Sequence, residues 1–402
     1  MSSIVLRNAI YRKSFKFFVV ALGLLAGPGV LFTLPYILGP IEYANFAKML
    51  AVSQLISIVG TVGLEVACPR LGVKVPIATR HAVITTLLAA FFLYFLSRSL
   101  STPQYILAVI AALCNTLNAI YQSYLVFSGR TMSYGISGAA KAITILLVLI
   151  LFLHAGFDAG VAWSVASVIA LMIATYFMVY ERDRMKVDDN PANTNLAAIF
   201  KLGLPLAVIY GTATLPFVLD RVVAQSHLSS IEFARYAVAV TWAVPLVYVG
   251  NVFQQFIIAE SDEELFSKFA KFATILFVLE VCYAMLIVML ILIGVKIPYF
   301  TSPTDFFSYW GPIVSVYGIY SAFAFPAAAL IQKSFAVKEI AKLAALTAIF
   351  VGFSSVLLYV FSKFADGAGI AAPIVCSLIF GLASILPRLY SVCKHISTKK
   401  IA

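Results

Sequence analysis

Lys141, Arg221 and Arg235 are cations set in or at the ends of apolar stretches of this 402-residue sequence, and Lys48 stands in a similar place earlier in the chain. Lys141 lies some eight residues into its stretch, about 12 Å along a helix at 1.5 Å per residue. At that depth it needs a partner or a watery cavity. Gln54, Ser57, Thr61 and Glu65 follow spacings of 3, 4 and 4, which places them on one helix face. Asn251 and Gln255 stand 190 residues after Thr61 and Glu65, with Tyr248 on the same face. A polar stripe of this kind lines a cavity or joins two helices through hydrogen bonds; the presence of Glu65, Asn251 and Gln255 favours the cavity. Asp220 adjoins Arg221, and sequence neighbours point apart on a helix, so Asp220 is expected to pair with Arg235 across the following turn. Glu280 is an isolated carboxylate in an apolar run, and an ionisable group inside a membrane is a functional candidate by default.

The elements that must position these residues are membrane helices. The chain is 62% hydrophobic and 11% charged, with a mean hydropathy of +1.00, where soluble domains are about 25% charged. Apolar stretches of about twenty residues, the length that crosses a bilayer, predict an all-α membrane protein. Twelve spans are expected, near 15–38, 42–66, 81–100, 103–127, 133–153, 157–180, 197–220, 234–258, 268–294, 307–331, 340–362 and 368–391. The first is too long for the core of a signal peptide. The five cysteines are scattered, so no disulfide framework, metal site or cofactor is expected. Basic residues in short loops stay on the cytoplasmic side. With the N-terminus inside, 22 of the 28 Lys and Arg, Arg388 among them, fall at cytoplasmic ends. Lys48, Arg98, Arg221, Arg235, Lys296 and Lys363 are left outside, and both termini are then cytoplasmic. The net charge of +11 reads as topology and attraction to anionic headgroups, not as nucleic-acid binding.

A polar stretch, "ERDRMKVDDNPANTN" at 181–195, divides the chain into a six-helix lobe at 1–180, a cytoplasmic linker at 181–196 and a second six-helix lobe at 197–402. The lobes repeat each other. "LGLL" at 22–25 answers "LGLP" at 202–205, "LPYILG" at 34–39 answers "LPFVLD" at 215–220, and "IEYANFA" at 41–47 answers "IEFARYA" at 231–237. Six spans per repeat is an even number, so the repeats are parallel and a site is expected between them, around a central cavity. In the doubled motif Glu42 and Glu232 suit the N3 place of a helix start. Tyr43, Phe46, Phe233 and Tyr236 suit an aromatic belt at the membrane interface. Asn45 aligns with Arg235, and Lys48 with Val238. Asn45 and Lys48 share a face, so Lys48 and Arg235 either face each other between the lobes or snorkel to headgroups. That face lies roughly opposite the polar stripe. Glycine and proline in "GPG" at 27–29 and at Gly203, Pro205, Gly211 and Pro216 predict a bend in the first helix of each lobe.

The segments "LGPIEYANFAKMLAVSQLISIVGTVGLEVACPRLG" and "GLPLAVIYGTATLPFVLDRVVAQSHLSSIEFARYAVA", with "FSGR" at 127–130, "LIQKS" at 330–334 and the Asp220-Arg221 pair, resemble the polysaccharide transporter family of the multidrug/oligosaccharidyl-lipid/polysaccharide flippase superfamily. The O-antigen flippases are the best likeness within it. The resemblance covers nearly the whole chain. It implies movement of a polyprenyl-diphosphate-linked oligosaccharide between the leaflets of a bacterial inner membrane by alternating access. It also implies a polymerase and chain-length proteins of the same pathway as partners. Lys48, Arg235, Arg221 and Lys141 are the positions that could hold a diphosphate, with Asn45 beside them. A proton- or sodium-coupled exporter of the same superfamily is the alternative, with Glu65, Glu280 or Asp220 as its coupling acid. A sugar porter is disfavoured because "RLGVKVPIATR" at 70–80 lacks the Asp-Arg signature of that fold's loop. A glycan polymerase would need long acceptor-binding loops, which the spans do not leave room for.

Overall fold

The computed structural model describes residues 31–95, 100–181, 196–214, 216–259, 265–364 and 369–401, and every regular element among them is a helix. The first lobe holds α1 (described over 31–37), α2 (Pro40–Thr61), α3 (Leu64–Arg70), α4 (Val75–Tyr94), α5 (Thr102–Phe127), α6 (Thr131–His154) and α7 (Ala159–Glu181). The second holds α8 (Leu196–Thr214), α9 (Pro216–His227), α10 (Ser230–Ala259), α11 (Leu265–Leu292), α12 (Pro303–Ser334), α13 (Val337–Phe364) and α14 (Ala371–Ile401). Ten helical spans among the described residues are long and apolar enough to cross a membrane. The first expected span falls mostly outside the described residues, and the seventh is divided between α8 and α9. The expected linker, apart from its ends, also lies outside them. The chain is a multi-pass membrane protein.

Local chemistry fixes where the repeated helices start. Glu42 Oε2 accepts the Gly39 amide at 3.4 Å, with Pro40 as the first helical residue. In the second copy Glu232 Oε2 accepts the Ser229 amide at 3.0 Å and the Ser229 hydroxyl at 2.7 Å. Both acids therefore cap the first turn of their helices, and in the second copy the Glu232 amide also donates to Ser229 Oγ at 3.4 Å, which completes a capping box. The neighbouring aromatics depart from expectation: Tyr43, Phe46, Phe233 and Tyr236 are all buried between helices rather than set at a membrane interface. The reason is that α2 and α10 pack on each other and on helices of their own lobes: Tyr43 bonds to Thr241 and Lys48 lies over Phe233 across the seam, while Phe46 lies edge-on to Trp163 and Tyr236 bonds to Asp220.

One break among the described residues shapes the central helices. Val62 and Gly63 adopt left-handed conformations, with φ of 46° and 70°, and divide α2 from α3. A side chain at Gly63 would collide with the Gly203 carbonyl of α8, so this residue is glycine for two reasons, its φ and the closeness of the lobes. No bend was expected there. A bend is also expected where Pro216 lacks the amide that would bond Thr212 O; residue 215, between α8 and α9, lies outside the described residues. The freed Thr212 carbonyl accepts the Tyr320 hydroxyl at 3.3 Å.

The lobes meet at both ends of the bundle. At the end where α2 and α10 begin, Tyr43 and Thr241 share a hydrogen bond of 3.0 Å, and Phe32 lies edge-on to Trp242. At the opposite end Val66 and Ala67 of α3 join Leu202, Leu206 and Ile209 of α8 in one apolar cluster, and Arg70 Nη2 donates to Phe335 O at 3.0 Å. Burial sorts the helices accordingly: 72% of the residues in the apolar spans of α10 and α12 are buried, against 22% in those of α6 and α11. The first pair forms the middle of the bundle, and the second turns most of its surface to lipid.

Candidate functional site: a cationic cavity between the lobes

A cavity of about 410 Å³ lies between the lobes, walled by α2, α5, α6 and α7 on one side and by α8, α9, α10 and α12 on the other. Its shape follows from the sequence of α6, where Gly135, Gly138 and Lys141 succeed one another at three-residue steps on the cavity face. The two glycines carry no side chain to fill that face. Among the described residues no carboxylate pairs with Lys141. On the opposite wall Arg221 of α9 is nine-tenths buried and donates through Nη2 to Phe217 O at 2.7 Å. Its Nε has no hydrogen-bond partner among the described residues.

Arg221 is backed by a fully buried acid. Asp220 Oδ1 accepts the Arg221 amide at 2.6 Å and lies 4.0 Å from the Arg221 Nε. Asp220 Oδ2 accepts the hydroxyls of Tyr236 at 2.9 Å and Tyr317 at 2.5 Å. These three hydrogen bonds satisfy both carboxyl oxygens of Asp220, which supports Arg221 from behind without lining the cavity. The expected Asp220–Arg235 pair does not form, because the tyrosine of the second motif takes the place that Arg235 was to fill.

The remaining wall is neutral and hydrogen-bonding. Gln54 and Ser57 of the predicted stripe line it, and so do Tyr248 and Asn251 from the second copy. Thr61 and Glu65 do not: Thr61, the last residue of α2, bonds back to Ile58 O at 3.0 Å, and Glu65 lies beyond the break at Val62–Gly63. The Gln255 side chain lies outside the described residues. Asn115 and Gln122 of α5 also line the cavity, and sequence reading passed them over. Their signal was present, since Asn115, Asn118 and Gln122 recur at steps of 3 and 4.

The other candidates stand elsewhere. Lys48 places its ammonium over the Phe233 ring, 5.9 Å from the centroid, as part of the seam between the lobes. Asn45 is exposed and lines a separate cavity of about 110 Å³ with Glu42, Gln104 and Asp158. Arg235 donates through Nε to Tyr299 O at 3.0 Å and pairs with Asp305 at 3.7 Å. Lys48 and Arg235 thus do not face each other across the cavity. Each is turned to its own neighbours because the motif helices meet along their buried aromatics. Glu280 is buried between α11 and α12, where it accepts the Ser321 hydroxyl, and it is also away from the cavity. Arg388, expected at a cytoplasmic end, is instead wholly buried and donates to Ile209 O and to Thr212 Oγ1.

Solved structures share this arrangement along nearly its whole length. One is a multidrug resistance MATE family transporter of the MOP superfamily in its outward-facing conformation. It is 15% identical, with a TM-score of 0.59 and coverage of 96% of each chain. The chain has the MATE transporter fold. A second MATE structure, in the straight conformation, is 14% identical with a TM-score of 0.60, covering 96% of this chain and 97% of that one. A MOP superfamily transporter from Pyrococcus furiosus, described as having a binding pocket of reverse polarity, is 15% identical with a TM-score of 0.58 and 96% coverage of each. No protein-family model and no curated protein sequence matches the chain. In the MATE fold of this chain the cavity holding Lys141 and Arg221 lies where the two repeats meet.

Proposed function

We propose that this protein is a flippase. It moves a lipid-linked oligosaccharide, of the kind that supplies O-antigen or a similar surface polysaccharide, from the inner to the outer leaflet of a bacterial cytoplasmic membrane. Both termini lie in the cytoplasm, and polymerase and chain-length proteins of the same pathway are its partners. One observation carries the reading: the cavity between the lobes is lined by two cations, and no carboxylate lines it among the described residues. Such a lining attracts an anion and is ill suited to an organic cation. A diphosphate offers oxygens to both Lys141 and Arg221, the second in the forked geometry that guanidinium makes with phosphate. Alternating access then consists of parting the lobes at one end while the contacts at the other hold. The left-handed Val62 and Gly63 between α2 and α3, and Pro216 at the start of α9, are places where the chain can bend.

A second reading, a proton- or sodium-coupled small-molecule exporter, is favoured by the structural likeness to a protein described as a multidrug resistance transporter. Glu65 or Glu280 would be its coupling acid, and both stand off the cavity wall. Deletion in the native host separates the two. A flippase leaves undecorated lipid-linked units trapped on the inner leaflet and depletes the surface glycan; an unchanged surface glycan contradicts it.

A further inference from the structure

We infer that Arg388 is a positioning residue of the cavity, which it does not line: from α14 it fixes the end of α8 and, through it, the place of Arg221. The inference rests on the flippase reading, in which Arg221 meets the diphosphate of the substrate. Arg388 is wholly buried among apolar helices, and a guanidinium there keeps its charge. Among the described residues no carboxylate pairs with it, and its Nε and Nη1 have no hydrogen-bond partner. A charge so placed is costly, and an apolar side chain of similar volume would avoid that cost. What the guanidinium supplies is direction. Its Nη2 donates to Ile209 O and, at 2.9 Å, to Thr212 Oγ1. A rigid fork of donors thus grips the last turns of α8, at the end of a helix where a cation is favoured.

The grip reaches the cavity through one residue, Phe217. Thr212 O, which receives no amide from Pro216, accepts the Tyr320 hydroxyl at 3.3 Å. That hydroxyl also shares a hydrogen bond of 2.7 Å with Ser384, one turn before Arg388 on α14. The Phe217 ring lies edge-on to Tyr320, with centroids 5.0 Å apart, and to Tyr317 at 4.7 Å. Phe217 O is in turn the acceptor of Arg221 Nη2, and Tyr317 holds Asp220 behind that arginine. Arg388 and Tyr320 therefore fix the chain on the α8 side of Phe217, and Tyr317 fixes it on the α9 side. The residue whose carbonyl holds Arg221 lies between them. Lys141 belongs to α6, in the other lobe, and takes no part in this chain of contacts. Arg388 should therefore act on binding through Arg221 and not through Lys141.

The test is the binding of farnesyl diphosphate to the full-length protein in nanodiscs, measured by calorimetry in three backgrounds: the wild type, Arg221→Ala and Lys141→Ala. Arg388→Met is expected to weaken binding at least about fivefold in the wild type and to keep that effect beside Lys141→Ala. Beside Arg221→Ala it is expected to change affinity less than about twofold, because the group it positions is already gone. Affinity unchanged by Arg388→Met, or lowered by the same factor in all three backgrounds, overturns the inference and leaves the flippase standing; equal losses are what a residue that only stabilises the fold would give. If the wild type does not bind the probe, the flippase reading fails and the inference with it. If Arg388→Met does not fold, Thr212→Val, which removes one acceptor of the same guanidinium, is measured in the three backgrounds and judged by the same pattern.

Discussion

Asp220 shows how a single buried residue can serve a cavity it does not touch. Its carboxylate accepts from Tyr236, Tyr317 and the Arg221 amide, so the cavity-facing guanidinium is held on a rigid support. Tyr317→Phe removes one hydrogen bond to a buried acceptor and is expected to cost about 2 kcal/mol, measured as a lowered melting temperature in detergent. Substrate affinity should fall less than in Lys141→Ala, which removes a cation from the cavity itself. An unchanged melting temperature would mean that the Tyr317 contact contributes nothing. Lys141 and Arg221 were legible in the sequence because a lone charge in an apolar run has few explanations. Tyr236 was not: a tyrosine one turn into a membrane helix has the same neighbours in sequence whether it meets headgroups or a buried carboxyl group of its own lobe. Arg388 was misplaced for a similar reason. Its side chain is long enough to lie near the end of an apolar stretch and still turn inward to Ile209 and Thr212.

At the scale of elements, the helices that start with the doubled motif also hold the lobes together. The α11–α12 connection, 293–302, crosses to the first lobe: Tyr299 donates to Leu38 O at 2.7 Å, and Tyr36 donates to Lys296 O at 2.9 Å. Arg235 pins the strap through Tyr299 O, Asp305 and the Phe300 ring. Spin labels on Leu38→Cys and Lys296→Cys should report one short distance, and Arg235→Ala should broaden it toward longer values. An identical distribution in both proteins would exclude Arg235 as the pin. Burial pushes the Tyr299 phenol above its ordinary value, so it remains a donor through neutral pH. Because the folded-state value is raised, the unfolded chain loses its proton first. Tyr299 should therefore leave stability flat below about pH 10 and lower it only above that. The α2–α3 break supports a further expectation. Gly63→Ala puts a Cβ against Gly203 O at a φ of 70° and should destabilise the protein by about 2 kcal/mol, read from its melting temperature. A melting temperature equal to that of the wild type would show that the lobes can separate there without cost. Periodicity located helices at the expected positions but not this break, because "GTVGLE" at 60–65 is apolar enough to read as one continuous span. The close backbone approach that demands Gly63 depends on a residue 140 positions away.

For the whole molecule, the doubled sequence already contained the two-lobed plan, since an even number of spans per repeat requires the lobes to be parallel. It did not contain which faces meet. The polar stripe and the Asn45–Lys48 face lie on opposite sides of α2, and only packing shows that Gln54 and Ser57 take the cavity while Lys48 takes the seam. Under the proposed topology, the excess of basic residues at the end opposite the motif places the α2 and α10 starts outside. With the exposed Cys282 and Cys393 replaced by serine, a cysteine at Asp158 should react with an impermeant maleimide added to intact cells, and one at Ser128 should not. The reverse pattern would invert the topology and the direction of transport. In the proposed function, the cavity between the lobes carries a diphosphate-linked sugar across the membrane on Lys141 and Arg221. Its most direct test is the translocation rate of farnesyl diphosphate-N-acetylglucosamine across proteoliposomes holding the wild type or Lys141→Ala/Arg221→Ala, with equal amounts of folded protein. Translocation by the wild type, reduced at least about tenfold in the double variant, is the predicted result. Equal rates in the two proteins, or no translocation by the wild type, would contradict it.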